Sequence, residues 1–252
     1  MTPPNQFGRC NSFGWFSVVC QAECIMATST ESRVAKAVPV FSWSSATRWS
    51  SQPKPVAILI AGLTLFGFGD WLLIESRFGN SPWSVFAGGI DKHINIGIGT
   101  VTVVTSAVVL LLWIPLRQRP GLGTVANAII IGSVVELLDR NIGAVDNFVG
   151  RCAMLVGGLV SVGIGGALYL STQLGPGPRD GLMTSIGKRF HRPIAHVRLA
   201  IEVTVLMLGW ALGGRLGVGT FVFAFAIGHV LAFFVGLLHR LDSGDAPSTI
   251  AL

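Results

Sequence analysis

Two stretches of this sequence, 96 residues apart, share one pattern. Residues 174–188 read LGPGPRDGLMTSIGK, and residues 78–92 read FGNSPWSVFAGGIDK. Each contains a glycine turn and then a proline suited to the first turn of a helix. We predict that each stretch forms a helix of about two or three turns, too short to cross a bilayer whose core is about 30 Å thick.

The similarity extends well beyond these stretches and indicates a duplication. With a shift of 96 residues, positions 56–138 align with 152–234 without a gap, and 25 of the 83 pairs are identical. Self-similarity at a fixed interval is the signature of a repeated structural unit. The identities include turn residues, notably Gly79 with Gly175, Pro82 with Pro178, and the run Gly121, Gly123, Thr124 with Gly217, Gly219, Thr220.

The composition is that of a membrane protein. Apolar residues make up 51% of the chain, charged residues 12%, and the mean hydropathy is +0.65, whereas soluble domains carry about 25% charged residues. Segments near the length of about 20 residues that a span needs occur at 56–74, 97–116, 121–138, 149–171, 194–212 and 217–238. We therefore predict an all-α membrane protein with six transmembrane helices in two three-span repeats, each with a short non-spanning helix after its first span.

An odd number of spans in each repeat places the second repeat in the membrane upside down. Inverted repeats are typical of secondary transporters, whose sites lie at the repeat interface. With the N-terminus inside, twelve Lys and Arg residues fall in inner segments and five in outer ones, which favours two cytoplasmic termini. We expect a flexible cytosolic tail over 1–54, a membrane domain over 55–240 and a cytosolic tail over 241–252. Met1 and Met26 are alternative translation starts.

Small residues recur every fourth position in the fourth predicted span, at Gly157, Ser161 and Gly165. Such a face lets another helix approach closely. Because the first and fourth spans are equivalent in the two repeats, we expect these two helices to pack together where the repeats meet.

Arg179 and Asp180 form an adjacent pair of charges in the first turn of the second predicted short helix. In one interpretation, the helix N-terminus and Arg179 bind an anionic group of a substrate. In the other, Asp180 only favours the helix dipole and Arg179 extends to a lipid phosphate.

Charges also occur within the predicted spans, where they are costly and often functional. Arg198 and Glu202 lie one turn apart, although their counterparts Thr102 and Ser106 are uncharged. This pair is either a salt bridge that fixes helix packing or part of a site for substrate binding or proton coupling. Asp70, in the first span, either faces a cleft or reaches the outer interface. Our candidate substrate-binding residues are Arg179, Asp180, Arg198, Glu202 and Asp70.

Other functional classes lack sequence support. No GxSxG, HExxH or P-loop motif occurs in a suitable context, so we expect no enzyme activity and no cofactor. Neither the cluster of Cys10, Cys20 and Cys24 nor the isolated Cys152 has the spacing of a metal site. The net charge of +6 is spread between apolar segments, and no nucleic-acid-binding motif accompanies it, so we expect no nucleic-acid partner.

The segments TQLGPGPRDGLM, RLAIEVTVLMLGWALGG and GVGTFVFAFAIG resemble the YczE-type integral membrane proteins, which are grouped with the YitT-like families of bacteria. The resemblance covers roughly residues 55–240. It implies a bacterial inner-membrane protein with several spans, and it assigns no activity. Some members have been linked to the production or export of secondary metabolites.

Two functions follow from these observations. The first is a transporter-like protein that moves a small solute through the interface of two inverted repeats. The alternative is a non-catalytic membrane accessory or scaffold protein that assists a partner complex. The lipid bilayer is an expected partner in both cases, and the sequence leaves the solute, a homo-oligomer and a partner membrane protein open.

Overall fold

A computed structural model describes residues 39–142 and 145–243 of the chain. This part contains eight α-helices and no strand. The helices are α1 (Pro53–Ser76), α2 (Pro82–Ile94), α3 (Ile98–Leu112), α4 (Leu122–Asn141), α5 (Phe148–Ser171), α6 (Pro178–Arg189), α7 (Ile194–Ala211) and α8 (Val218–Asp242). Outside the described residues lie the start of the predicted N-terminal tail, with Cys10, Cys20, Cys24 and Met26, and the C-terminal tail from residue 244 onward.

Four helices of the described chain, α1, α4, α5 and α8, are long and apolar enough to cross a membrane. The pair α2 and α3 meets at a bend of 113° and together forms a fifth candidate. On its own, α3 has 15 residues, or about 22 Å at 1.5 Å per residue, which is shorter than a bilayer core. The predicted class, an all-helical membrane protein, is confirmed, with four or five candidate spans.

Both predicted short helices are present. Helix α2 has 13 residues and α6 has 12, and each begins at a proline, Pro82 and Pro178. The loop before each helix contains a glycine in the left-handed region, Gly79 with φ +121° and Gly175 with φ +128°. Since a side chain rarely adopts this conformation, glycine lets the chain turn sharply into the helix.

The same chain path recurs in both halves at the interval of 96 residues. Left-handed residues other than glycine are uncommon, and yet they occur here at equivalent positions. Four pairs of left-handed residues match at this interval, namely Arg77 with Gln173, Gly79 with Gly175, Asn95 with His191, and Arg117 with Gly213.

Helices α1 and α5 pack along each other, as the pattern of small residues predicts. A Cβ atom built on Gly165 would lie 2.6 Å from the carbonyl oxygen of Gly62, and one on Gly158 would lie 2.8 Å from that of Gly69. These two contacts are equivalent under the shift of 96 residues. Only glycine allows the backbones to approach this closely, so the small residues determine the packing of the helix pair.

The loop before each short helix is hydrogen-bonded to a helix of the other half. The Gly219 N–H, at the start of α8, donates to the Phe78 carbonyl oxygen at 2.8 Å. The equivalent Gly123 N–H, at the start of α4, donates to the Leu174 carbonyl oxygen at 3.0 Å. These hydrogen bonds satisfy donors that a helix start leaves unpaired, and they fix where α2 and α6 begin.

Part of the predicted N-terminal tail lies against the helices. The Phe41 side chain is 3% exposed. The Trp43 Nε1–H donates to Ser171 Oγ at 2.9 Å, and the Ser42 N–H donates to Asp242 Oδ2 at 2.8 Å. Residues 41–45 therefore cover the end of α5 and contact the end of α8.

Candidate functional site

The five residues singled out from the sequence line one cavity of about 300 Å³ between the two halves. Asp70 comes from α1, Arg179 and Asp180 come from α6, and Arg198 and Glu202 come from α7. The fold thus brings all five together, although they are spread over 133 positions of the chain (202 − 70 + 1). That they bind a substrate stays a prediction.

The first turns of the two short helices meet at this cavity. The Cζ atom of Arg179 lies 4.8 Å from the centre of the Trp83 ring, an arrangement that attracts the guanidinium to the face of the indole. Trp83, at the same position of α2, is 8% exposed. Arg179 therefore points toward Trp83 of α2 and the cavity between the halves.

Asp70 faces the N-terminus of α2. Its side chain is 4% exposed, and the Ser84 hydroxyl lies 3.0 and 3.1 Å from its two carboxylate oxygens. The Ser84 hydroxyl also lies 2.8 Å from that of Ser81, the residue that caps α2. Because a helix N-terminus carries partial positive charge, it stabilises a nearby carboxylate. Of the two positions the sequence leaves open, Asp70 occupies the cleft.

Asp180 lies in the first turn of α6, at the repeat position of Ser84. Its Oδ2 atom accepts a hydrogen bond of 2.9 Å from the hydroxyl of Tyr169, the chain's only tyrosine, which is 5% exposed. Sequence reasoning missed the roles of Tyr169, Ser84 and Trp83. Ser81 did carry a signal, because a serine directly before a proline is typical of a capped helix start.

Arg198 and Glu202 are paired and line the cavity at the same time. The Arg198 Nε–H donates to Glu202 Oε1 at 3.0 Å, and their side chains are 52% and 27% exposed. Among the described residues, Arg179 has no ion pair within 4.0 Å. The three carboxylates and two guanidinium groups of the cavity sum to a charge of −1 when all are ionised (2 − 3 = −1).

The cavity combines these charges with an apolar wall. Phe223, Ile227 and Leu231 of α8 form one side of it. Such a mixture suits reversible binding of a small molecule that has both polar and apolar parts. No group of three or more His, Cys, Asp or Glu residues in the described chain is arranged to hold a metal ion.

The two halves differ where their last two helices meet. A Cβ atom on Gly132 of α4 would lie 2.6 Å from the Gly99 carbonyl oxygen of α3, so these helices are in direct contact. A Cβ atom on Gly228, the counterpart in α8, would meet no atom within 4 Å. Helices α3 and α4 are therefore packed together, whereas α7 and α8 stand apart beside the cavity.

The fold and the cavity define a helical membrane protein with two similar halves. The chain matches the model of a family of unknown function (DUF6198) over residues 53–236, and it belongs to that family. The match includes all eight helices apart from the end of α8, and all five residues predicted for the site.

The chain is also similar to three bacterial proteins. It is 39% identical over 206 residues to an uncharacterized protein of Haemophilus influenzae, with 82% of this chain and 94% of the relative covered. It is 31% identical over 175 residues to the uncharacterized membrane protein YczE of Bacillus subtilis, with 69% and 81% covered. It is 27% identical over 183 residues to the protein YyaS of Bacillus subtilis, with 71% and 91% covered. The resemblance to YczE-type proteins is thus confirmed, and no solved structure matches the chain.

Proposed function

We propose that this protein is a transporter-like protein of the bacterial cytoplasmic membrane, which moves a small solute through the cavity between two inverted three-span repeats. The observation that carries the proposal is the meeting of two short-helix N-termini in a polar cavity at the interface of the halves, with Asp70 against the start of α2 and Asp180 in the first turn of α6. Broken helices that meet at a central site are typical of transporters with inverted repeats. The solute leaves unchanged, so the proposal involves no enzymatic step and no cofactor.

In this architecture, α2 with α3 and α6 with α7 complete the six spans. The bent pair α2 and α3 is together long and apolar enough for one span, which supports a crossing there. An odd number of crossings per half would turn the second half upside down, and the distribution of Lys and Arg favours two cytoplasmic termini.

The charges around the cavity limit the solutes that suit it. Arg179 is held by Trp83 and has no ion pair within 4.0 Å in the described structure, so it is available for an acceptor group of the solute. Asp70 and Asp180 can accept donors from the solute. We therefore expect a small molecule with both hydrogen-bond donors and acceptors, and with an apolar part that contacts α8.

The unequal packing of the halves supports movement between two states. Here α7 and α8 stand apart and α3 and α4 are packed together. If the halves exchange these arrangements, the cavity is open beside α8 in one state and beside α4 in the other. The solute then has access from each side of the membrane in turn. Exchange of this kind is the expected behaviour of inverted repeats.

Uptake by proteoliposomes tests the proposal with a mixture of natural solutes. The full-length protein is reconstituted and incubated with a bacterial metabolite extract, and the retained solutes are identified by mass spectrometry. We expect at least one small solute to be enriched in liposomes with the wild-type protein, and its enrichment to be lost in Arg179→Gln and Glu202→Gln.

A matched control is Arg189→Gln, which removes the same charge from the exposed end of the same helix, outside the cavity. This variant should retain uptake. If no solute is enriched over empty liposomes, or if Arg179→Gln and Arg189→Gln behave alike, transport through this cavity is contradicted.

A further inference from the structure

A second cavity, of about 420 Å³, lies at the other end of α1 from residues 41–45. It shares no lining residue with the cavity described above. Its wall combines the ends of α1, α2 and α4 with the loop between α7 and α8. The charged residues that line it are three acidic and three basic, namely Glu75, Asp91, Asp139, Arg77, Lys92 and Arg215.

Two hydrogen-bond acceptors in this cavity have no partner. Asn80 is 5% exposed, and its Oδ1 atom is buried without a hydrogen bond. The Oε2 atom of Glu75 is also buried without one. Because buried polar atoms are nearly always hydrogen-bonded, this pair of acceptors indicates a missing donor, which a ligand with N–H groups would supply.

Two cations of the same cavity also lack a counter-ion. Neither Lys92 nor Arg215 has an acidic group within 4.0 Å among the described residues. By contrast, Arg77 pairs with Asp146 at 3.4 Å, and Asp91 accepts a 2.6 Å hydrogen bond from the Gly97 N–H. Lys92 and Arg215 are therefore the positive groups that remain for a ligand.

We propose that this cavity binds a small zwitterion that carries a protonated primary amine and an anionic group. The amine donates to Glu75 and Asn80, since its three N–H bonds are enough for both acceptors. The carboxylate or phosphate of the ligand contacts Lys92 and Arg215. Both a free amino acid and the phosphatidylethanolamine headgroup have this chemistry. The proposal does not depend on transport through the first cavity.

Thermal unfolding of the full-length protein in detergent tests the proposal with defined probes. The chain has seven tryptophans, so their fluorescence reports Tm. O-phosphoethanolamine and L-alanine have both groups, whereas ethylamine and inorganic phosphate have one each. We expect the first two probes to raise Tm in a saturable way, and the last two to have no effect at equal concentration.

Substitutions of cavity residues test whether the probes bind in this cavity. Loss of a hydrogen bond to a charged group weakens binding about tenfold or more, so Glu75→Gln and Arg215→Gln should each shift the response to at least tenfold higher concentration. Arg189→Gln removes an exposed charge that lies outside both cavities, and it should respond as the wild type does. Arg215 is exposed, so its substitution should not prevent folding.

Thermal unfolding in nanodiscs shows whether the ligand is a lipid headgroup or a free solute. A higher Tm in phosphatidylethanolamine than in phosphatidylcholine, whose ammonium has no N–H, identifies the lipid headgroup. A Tm rise with L-alanine that is the same in both lipids identifies a free solute. The proposal is overturned if no zwitterionic probe raises Tm and phosphatidylethanolamine gives no higher Tm than phosphatidylcholine, or if ethylamine alone matches O-phosphoethanolamine.

Discussion

Arg179 lies over the ring of Trp83, the residue 96 positions before it in the chain (179 − 83 = 96), with 4.8 Å between its Cζ atom and the ring centre. A residue can touch its own repeat counterpart only where the two halves face each other. This contact therefore marks the centre of the interface, and the cavity with Asp70 and Asp180 lies beside it.

Coupling between Trp83 and Arg179 is the first prediction. Since a partly desolvated guanidinium over an indole contributes about 0.5–2 kcal/mol, Trp83→Leu and Arg179→Gln should be non-additive by about that amount. The free energy of unfolding in mixed micelles, measured for both single variants and the double variant, gives the coupling. Additive effects would show that the contact does not hold Arg179 in place.

The hydrogen bond from Ser84 to Asp70 gives a second prediction. Ser84→Ala leaves a buried carboxylate without its donor, which should lower the free energy of unfolding by about 1–3 kcal/mol. Ser185→Ala is the matched control, because Ser185 is buried like Ser84 but donates only to Gly181 of its own helix. Equal destabilisation by the two substitutions would contradict the role assigned to Ser84.

The contact between α1 and α5 gives a third prediction. A methyl group at Gly165 would meet backbone atoms of Gly62 and Phe66 at 2.6 Å, so Gly165→Ala should destabilise the protein by about 1–3 kcal/mol, as overpacking does. At Gly236 an added Cβ would meet nothing within 4 Å. Gly236→Ala should therefore leave Tm unchanged or raise it, and a Gly165→Ala variant as stable as this control would contradict the packing.

Swapping the charges of Arg198 and Glu202 tests whether the pair only fixes helix packing or belongs to a site for the solute or for protons. The double variant Arg198→Glu with Glu202→Arg keeps the pair with its ends exchanged. We expect this variant to retain the wild-type Tm and to lose solute uptake, because the charges then face the cavity in the wrong order. Restored uptake would mean that the pair serves packing alone.

Composition and the repeat were sufficient to predict the class of protein and the two short helices. Apolar length alone indicates spans, and proline after a glycine turn indicates a helix start whatever the tertiary context. The repeat also predicted that the first and fourth spans, which are α1 and α5, pack together where the halves meet.

Contacts between residues far apart along the chain could not be predicted from the sequence. Nothing local to Tyr169 shows that its hydroxyl reaches Asp180, and nothing in residues 41–45 shows that they cover α5. Gly132 and Gly228 are the same residue in the same repeat position, and yet only Gly132 is packed against a neighbouring helix. Such differences arise from the conformation of each half as a whole, which a pattern of residue types does not encode.

The central claim is that the two halves exchange their arrangements. Disulfide formation tests it in a chain whose native cysteines, Cys10, Cys20, Cys24 and Cys152, are replaced by serine. One cysteine pair replaces Thr100 and Glu136, where α3 contacts α4 through a 3.0 Å hydrogen bond. The other replaces their counterparts, His196 and Ala232, in α7 and α8.

We predict that both pairs form disulfides in the membrane on oxidation with copper phenanthroline, and that the two disulfides exclude each other in a chain carrying all four cysteines. Each disulfide should also stop solute uptake, since it locks one state. If the 100–136 pair reacts and the 196–232 pair never does, α7 and α8 do not close, and the account of transport between two unequal halves is contradicted.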